Sequence, residues 1–147
     1  MNAKIRGINA LVVSLGLCCL VLMGCGSSSS SDSAAPAASV VVVDCAMVTS
    51  AETVTVPFGM TTFSPSSVTI SVNDVVQWYN ASALNHTVTS GIVTGGTTTT
   101  ATPDGKFDEA LAPNGTTVCL QFTTAGTYNY YCTPHYAMGM TGVVTVQ

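Results

Sequence analysis

Between Tyr131 and Met140 the chain reads Tyr-Cys-Thr-Pro-His-Tyr-Ala-Met-Gly-Met, which puts a thiol, an imidazole and two thioethers into one short stretch. A second imidazole, His86, lies far upstream in an apolar, strand-like context, and the chain contains only these two histidines. A cysteine, two histidines and a weak axial methionine are the donors of sites that hold copper for one-electron transfer. Cu(I) and Cu(II) prefer different geometries, and this mixed set suits both tolerably, so little must move when an electron arrives or leaves. Cys132 and His135, with Met138 or Met140, can come from a single turn. His86 must come from a neighbouring strand end, so the metal would tie two parts of the fold together. Zinc also accepts a Cys/His/His set, but the methionine points to copper.

Donors so far apart in sequence need a stiff frame. From Val40 onward apolar residues alternate with Thr, Ser and Asn, turn residues recur at short intervals, and no segment carries a helical period. The domain is therefore all-β. Strands are expected over Thr53–Phe58, Ser67–Val72, Asp74–Asn80, His86–Ser90, Thr116–Thr124, Gly126–Cys132 and Met140–Val146. The Gly/Thr/Pro-rich stretch between Ser90 and Thr116 is expected to hold loops and one short strand near Lys106–Asp108. Seven to eight short strands fit a two-sheet Greek-key β-sandwich, with Phe63, Trp78, Phe122, Tyr128 and Tyr130 as core or edge packing. Asn80-Ala81-Ser82 and Asn114-Gly115-Thr116 match glycosylation acceptors but read as turns.

The chain has 147 residues, enough for one ordinary domain. Met1 to Gly24 carries Lys4 and Arg6 followed by a nearly unbroken apolar run from Ile8 to Met23, the pattern of an export signal. An uncleaved anchor is the alternative. Leu22-Met23-Gly24-Cys25 resembles a bacterial lipobox, which implies cleavage before Cys25 and lipid on its sulfur. Residues 25–40, rich in Ser and Ala, then read as a flexible tether, and 41–147 as the folded domain. The expected location is the cell envelope, lipid-anchored and facing the periplasm or the cell exterior. Once processed, the chain keeps seven acidic residues (Asp32, Asp44, Glu52, Asp74, Asp104, Asp108, Glu109) against Lys106 alone, which argues against nucleic acid as a partner. Disulfides can form after export. If Cys132 holds metal, Cys45 and Cys119 remain as a natural pair. Alternation over Thr117–Phe122 turns Val118, Leu120 and Phe122 one way and Cys119 the other, within reach of the segment leaving the tether. Two independent half-buried thiols are the plainer alternative.

Cys132-Thr-Pro-His-Tyr-Ala-Met-Gly-Met140 resembles the copper loop of pseudoazurins, within the plastocyanin-like cupredoxins. Phe63–Ile70 and Asn73–Trp78 resemble the family's early strands, Asn85-His86-Thr87-Val88 its first histidine site, and Ala125–Tyr128 the turn before its copper cysteine. The resemblance runs from about Thr53 to Val146. It implies one type 1 copper, held by His86, Cys132, His135 and an axial methionine. In the family a glycine follows two residues after that methionine and opens the last strand. Met140-Thr141-Gly142 fits this pattern and Met138 does not, so Met140 is the expected ligand. Where the family often has an asparagine that braces the two ligand loops, this chain has Thr87, whose hydroxyl can bond near the sulfur. The Val40–Glu52 segment has no obvious family counterpart.

The expected function is a monomeric, membrane-tethered electron carrier. His135 serves as its port, ringed by the uncharged Pro134, Tyr136, Ala137 and Met138. Redox proteins such as a c-type cytochrome, an oxidase or a reductase are its candidate partners. A copper enzyme would need a further histidine-ligated copper with an open position, and no histidine remains to build one. Copper delivery or storage is the alternative, favoured by exposed, exchangeable donors.

Overall fold

The computed structural model describes residues 38–95 and 98–147; the expected leader, Cys25 and the tether up to residue 37 lie outside them. The described residues form nine strands: β1 (Val40–Val43), β2 (Glu52–Val56), β3 (Ser67–Ile70), β4 (Val75–Asn80), β5 (His86–Thr94), β6 (Thr100–Leu111), β7 (Thr117–Phe122), β8 (Gly126–Tyr131) and β9 (Thr141–Val146). Two short 3₁₀ turns, Cys45–Met47 and Tyr136–Met138, are the only helical elements among them. One sheet has the order β1-β7-β4-β2 and the other β3-β9-β8-β5-β6. β2 with β4 and β3 with β9 run parallel; the remaining pairs are antiparallel.

Alternation builds the sandwich. Val76 and Trp78 on β4, Val68 and Ile70 on β3, and Tyr128 and Tyr130 on β8 are buried at every second position and meet in one core. Trp78 lies at its centre, fully buried, edge-on to Tyr130 with ring centroids 5.4 Å apart. Tyr130 in turn lies directly over Gly142 at the start of β9, where a Cβ would overlap its ring. The glycine two residues after Met140 is therefore a packing requirement: it lets β9 approach the aromatic core closely and carries Met140 inward. Burial pushes the Tyr130 phenol up to about 12, so its hydroxyl stays neutral.

Among the described residues there are nine strands where seven to eight were expected, and the differences lie at sheet edges. β6 is not a loop with one short strand but a twelve-residue edge strand. It contains Pro103 and Gly105, which weaken any sequence signal for a strand but are tolerated at an edge. Its ladder with β5 is interrupted: Thr89 pairs Asp108 and Gly91 pairs Pro103, with a register shift between. The buried Ser90 hydroxyl closes that gap by accepting the N–H groups of Lys106 and Phe107, each at 2.9 Å. β1 pairs antiparallel with β7, from Val40 opposite Phe122 to Val43 opposite Cys119. The pairing reaches back to Ser39, whose carbonyl accepts from the Thr123 N–H.

Cys45, two residues past the end of β1, is disulfide-bonded to Cys119 of β7 across 74 residues of sequence. In the chain-entropy picture a loop of this size is worth about 4 kcal/mol, with measured values commonly 2–4 kcal/mol. Replacing both cysteines by alanine is expected to cost about 2–4 kcal/mol in denaturant unfolding. Hydrogen exchange on the same variant should show β1 losing protection before β4 or β8. Equal protection across all strands would show that β1 holds without the bridge.

Candidate metal centre

His86 is the first residue of β5, and Cys132 follows the last residue of β8. From there the chain must turn and re-enter the core as β9. Backbone hydrogen bonds stitch the connection from end to end. The His135 N–H donates to the Cys132 carbonyl at 3.0 Å, the Met138 N–H to the His135 carbonyl at 3.0 Å, and the Cys132 N–H to the Met140 carbonyl at 3.0 Å. Gly139 closes the turn at φ 84°, a left-handed conformation that glycine adopts without strain. That reversal separates the two methionines: Met138 stays 63% exposed, while Met140 is completely buried.

Three donor atoms converge. Cys132 Sγ lies 3.4 Å from His86 Nδ1 and 3.3 Å from His135 Nδ1, and the two nitrogens are 3.1 Å apart. The centre of this triangle lies within about 2 Å of all three atoms, the range of bonds from a transition metal to imidazole and thiolate. Cys132 and His86 are buried, whereas His135 is half-buried and keeps an edge toward solvent. The structure thus brings three of the four expected ligands into bonding range of one point and buries the fourth, Met140, on the strand entry beside them. Among the described residues no other group of histidine, cysteine and acidic side chains converges in this way.

Second contacts hold the ligands in place. The Ser82 hydroxyl lies 3.0 Å from His86 Nε2. With that nitrogen donating to Ser82, Nδ1 keeps its lone pair for the metal. Ser82 is itself fixed by Asn80, whose Oδ1 accepts the Ser82 N–H at 2.9 Å. The Asn80 amide nitrogen donates among the carbonyls of Leu84, Leu111 and Ala112 at 2.9–3.0 Å. Asn80 and Ser82 are both completely buried, so the match to a glycosylation acceptor is a turn built to present His86. Sequence reading took Asn80-Ala81-Ser82 as a turn, as it is, but gave neither polar side chain a role; the available signal was a serine four residues before a ligand histidine.

Thr87 serves the site through both backbone and side chain. Its backbone N–H donates to Cys132 Sγ at 3.4 Å. Its hydroxyl accepts the N–H of Thr133, the residue after Cys132, at 2.8 Å, and so braces the two ligand loops where the family often uses an asparagine.

Burial, reinforced by the neighbouring His135, holds His86 below the ordinary histidine range. Burial likewise pushes the Cys132 thiol up, against hydrogen bonds from Thr87 and His135 that favour the thiolate. Both effects prepare a neutral histidine and a protonated thiol whose proton a metal must displace.

A two-sheet β-sandwich carrying a Cys/His/His triangle at one strand junction, with a buried methionine on the next strand entry, defines a cupredoxin-type metal domain. Residues 50–147 match the family described as copper binding proteins, plastocyanin/azurin family. The chain belongs to that family. It is 36% identical over 95 residues to plastocyanin of Scenedesmus fuscus, covering 60% of this chain and 90% of that protein. It is 33% identical over 102 residues to plastocyanin of Prochlorothrix hollandica, covering 67% and 76%. Among solved structures, an oxidised amicyanin variant superposes with a TM-score of 0.53 at 26% identity, covering 74% of this chain and 99% of that one. The domain is thus a copper-binding cupredoxin.

Ser82→Ala is expected to weaken metal binding about 10–100-fold, the usual effect of removing the partner of a ligand histidine. A chelator-competition titration measures it, and unchanged affinity would show that Ser82 does not fix the His86 tautomer. The pKa directions make a second prediction. His86 favours its neutral form in the folded state, so its contribution to stability is full above the unfolded histidine value, about 6.5. That contribution is lost as pH falls from there toward the lowered folded value. Metal-free protein should therefore lose stability below about pH 6.5. Metal binding at pH 7 should release about one proton, from Cys132, measurable by calorimetry in buffers of different ionisation enthalpy.

Proposed function

We propose that this protein carries single electrons between redox proteins outside the cytoplasm through one type 1 copper held by His86, Cys132, His135 and, axially, Met140. The observation that carries this reading is the convergence of three donor atoms within 3.4 Å of one another, one of them on a half-exposed histidine. Copper bound there supplies the one-electron couple. The chain's own residues limit how much the site relaxes: Cys132, His135 and Met140 share a hydrogen-bonded turn, and His86 is clamped by Ser82. His135 is the ligand with access to solvent and therefore the port for the electron. Around it Pro134, Ala137 and Met138 are exposed and uncharged, which suits brief docking to a c-type cytochrome, an oxidase or a reductase.

The lipobox-like Cys25 supports tethering of a monomer to a membrane of the cell envelope, with the copper domain at the end of a Ser/Ala-rich leash. With two histidines in the chain, both spent on one centre, there is none to build an open catalytic copper, and catalysis by this chain alone is not part of the reading. Burial of His86, Cys132 and Met140 favours retention of copper over delivery.

Titration of metal-free protein with Cu(II) is expected to give an intense thiolate-to-copper band that saturates at one equivalent and is bleached by ascorbate. Cys132→Ser should abolish that band. Met140→Gln should keep the colour and move the reduction potential. A colourless product, or Cu(I) lost rapidly to a competing chelator, would replace electron transfer with copper delivery or storage.

A further inference from the structure

On the outer side of the metal centre three threonine hydroxyls meet. Thr87 Oγ1 lies 2.9 Å from Thr89 Oγ1 and 3.1 Å from Thr133 Oγ1, and Thr89 Oγ1 lies 3.1 Å from Thr133 Oγ1. Two further bonds enter and leave this cluster. The Thr133 backbone N–H donates to Thr87 Oγ1 at 2.8 Å, and the Thr89 hydroxyl donates to Asp108 Oδ1 at 2.7 Å. Asp108 stands directly across the β5–β6 ladder from Thr89.

Counting protons fixes a direction. A carboxylate only accepts, so the single Thr89 proton is committed to Asp108, and Thr89 can then only accept within the cluster. The Thr133 hydroxyl donates to Thr89, and the single Thr87 proton points to Thr89 or to Thr133, both on the side of Asp108. Every donor in the series, from the Thr133 N–H outward, points toward Asp108. Such a run of hydrogen bonds is cooperative, and its last bond, to a charged acceptor, is the strong one. Without Asp108 the three hydroxyls have no preferred sense of rotation, and Thr87 Oγ1 is no longer held as the acceptor for Thr133.

We propose that Asp108 is a positioning residue for the copper loop. Through Thr89 and Thr133 it holds Thr87 against the backbone of the residue next to Cys132, and thereby keeps the Thr87 N–H aimed at the ligand sulfur. Asp108 touches no ligand and lies on the edge strand that sequence reading left mostly as loop. The inference adds to the copper reading without resting on it in one respect: the threonine cluster and its anchor belong to the polypeptide and can be measured without metal.

The test uses Asp108→Ala, Asp108→Asn and Thr89→Val in the full chain. In metal-free protein, amide hydrogen exchange at Thr133 is expected to accelerate about ten-fold in Asp108→Ala and Thr89→Val. It should stay near wild type in Asp108→Asn, whose carbonyl still accepts. With copper bound, Asp108→Ala and Thr89→Val should shift the reduction potential in the same direction, although only the first removes a charge. Thr133 exchange unchanged in Asp108→Ala would overturn the proposal. So would a potential that shifts equally in both Asp108 variants but not in Thr89→Val, since that pattern reports bare charge. If Asp108→Ala does not fold, the exchange rate in Thr89→Val decides alone: wild-type exchange there overturns the proposal. Failure to bind copper would remove the proposed function while leaving the exchange result standing.

Discussion

Holding one sulfur and two nitrogens within 3.4 Å of one another is the constraint on which the rest of this structure depends. Their lone pairs face inward, and no side chain relaxes willingly into that arrangement. A flexible loop would let the donors turn away to water. The protein prevents this by drawing each ligand from a different support. His86 opens β5, Cys132 directly follows β8, and His135 sits in a turn whose backbone bonds to Cys132 on one side and Met140 on the other. The aromatic core beneath β8, built on Trp78 and Tyr130, makes that strand a fixed mount. Close passage of β9 over Tyr130 at Gly142 sets the depth at which Met140 enters.

Much of this was legible in the residues. The spacing of Cys132, His135 and Met140 and the isolation of His86 in an apolar stretch name a chemistry before any fold is known. Strict alternation in β3, β4, β7 and β8 names the fold class. Regions that escaped reading share a cause: their order is supplied from elsewhere in the chain. β1 is an edge strand with Val41 and Val42 exposed, held by β7 and by a cysteine 74 residues away. β6 carries a proline and a glycine and is completed by the hydroxyl of Ser90 from the neighbouring strand. Asn80 and Ser82 look like surface turn residues because polar side chains usually are. They are buried here because three carbonyls and an imidazole nitrogen use their hydrogen bonds.

The same cause explains why a threonine can stand after the first histidine. An asparagine would bridge the two ligand loops by itself. Thr87 is shorter and meets the second ligand loop only at Thr133, so the brace is shared among Thr87, Thr89 and Thr133 and leaned against the carboxylate of Asp108. No one of these residues is informative by type. Only the cross-strand register that sets Asp108 opposite Thr89 turns four common residues into a device.

Burial of Cys132 also bears on how the protein matures. The described residues contain three cysteines, one bridge and one buried thiol. Of the three ways to pair them, two would consume the ligand. A thiol that folding has sealed from solvent and pushed toward its protonated form is a poor nucleophile for disulfide exchange. Once the sandwich closes, an oxidant can complete Cys45–Cys119 while the third sulfur stays unreactive. The environment that makes this cysteine give up its proton reluctantly therefore guards it from folding until a metal takes that proton's place.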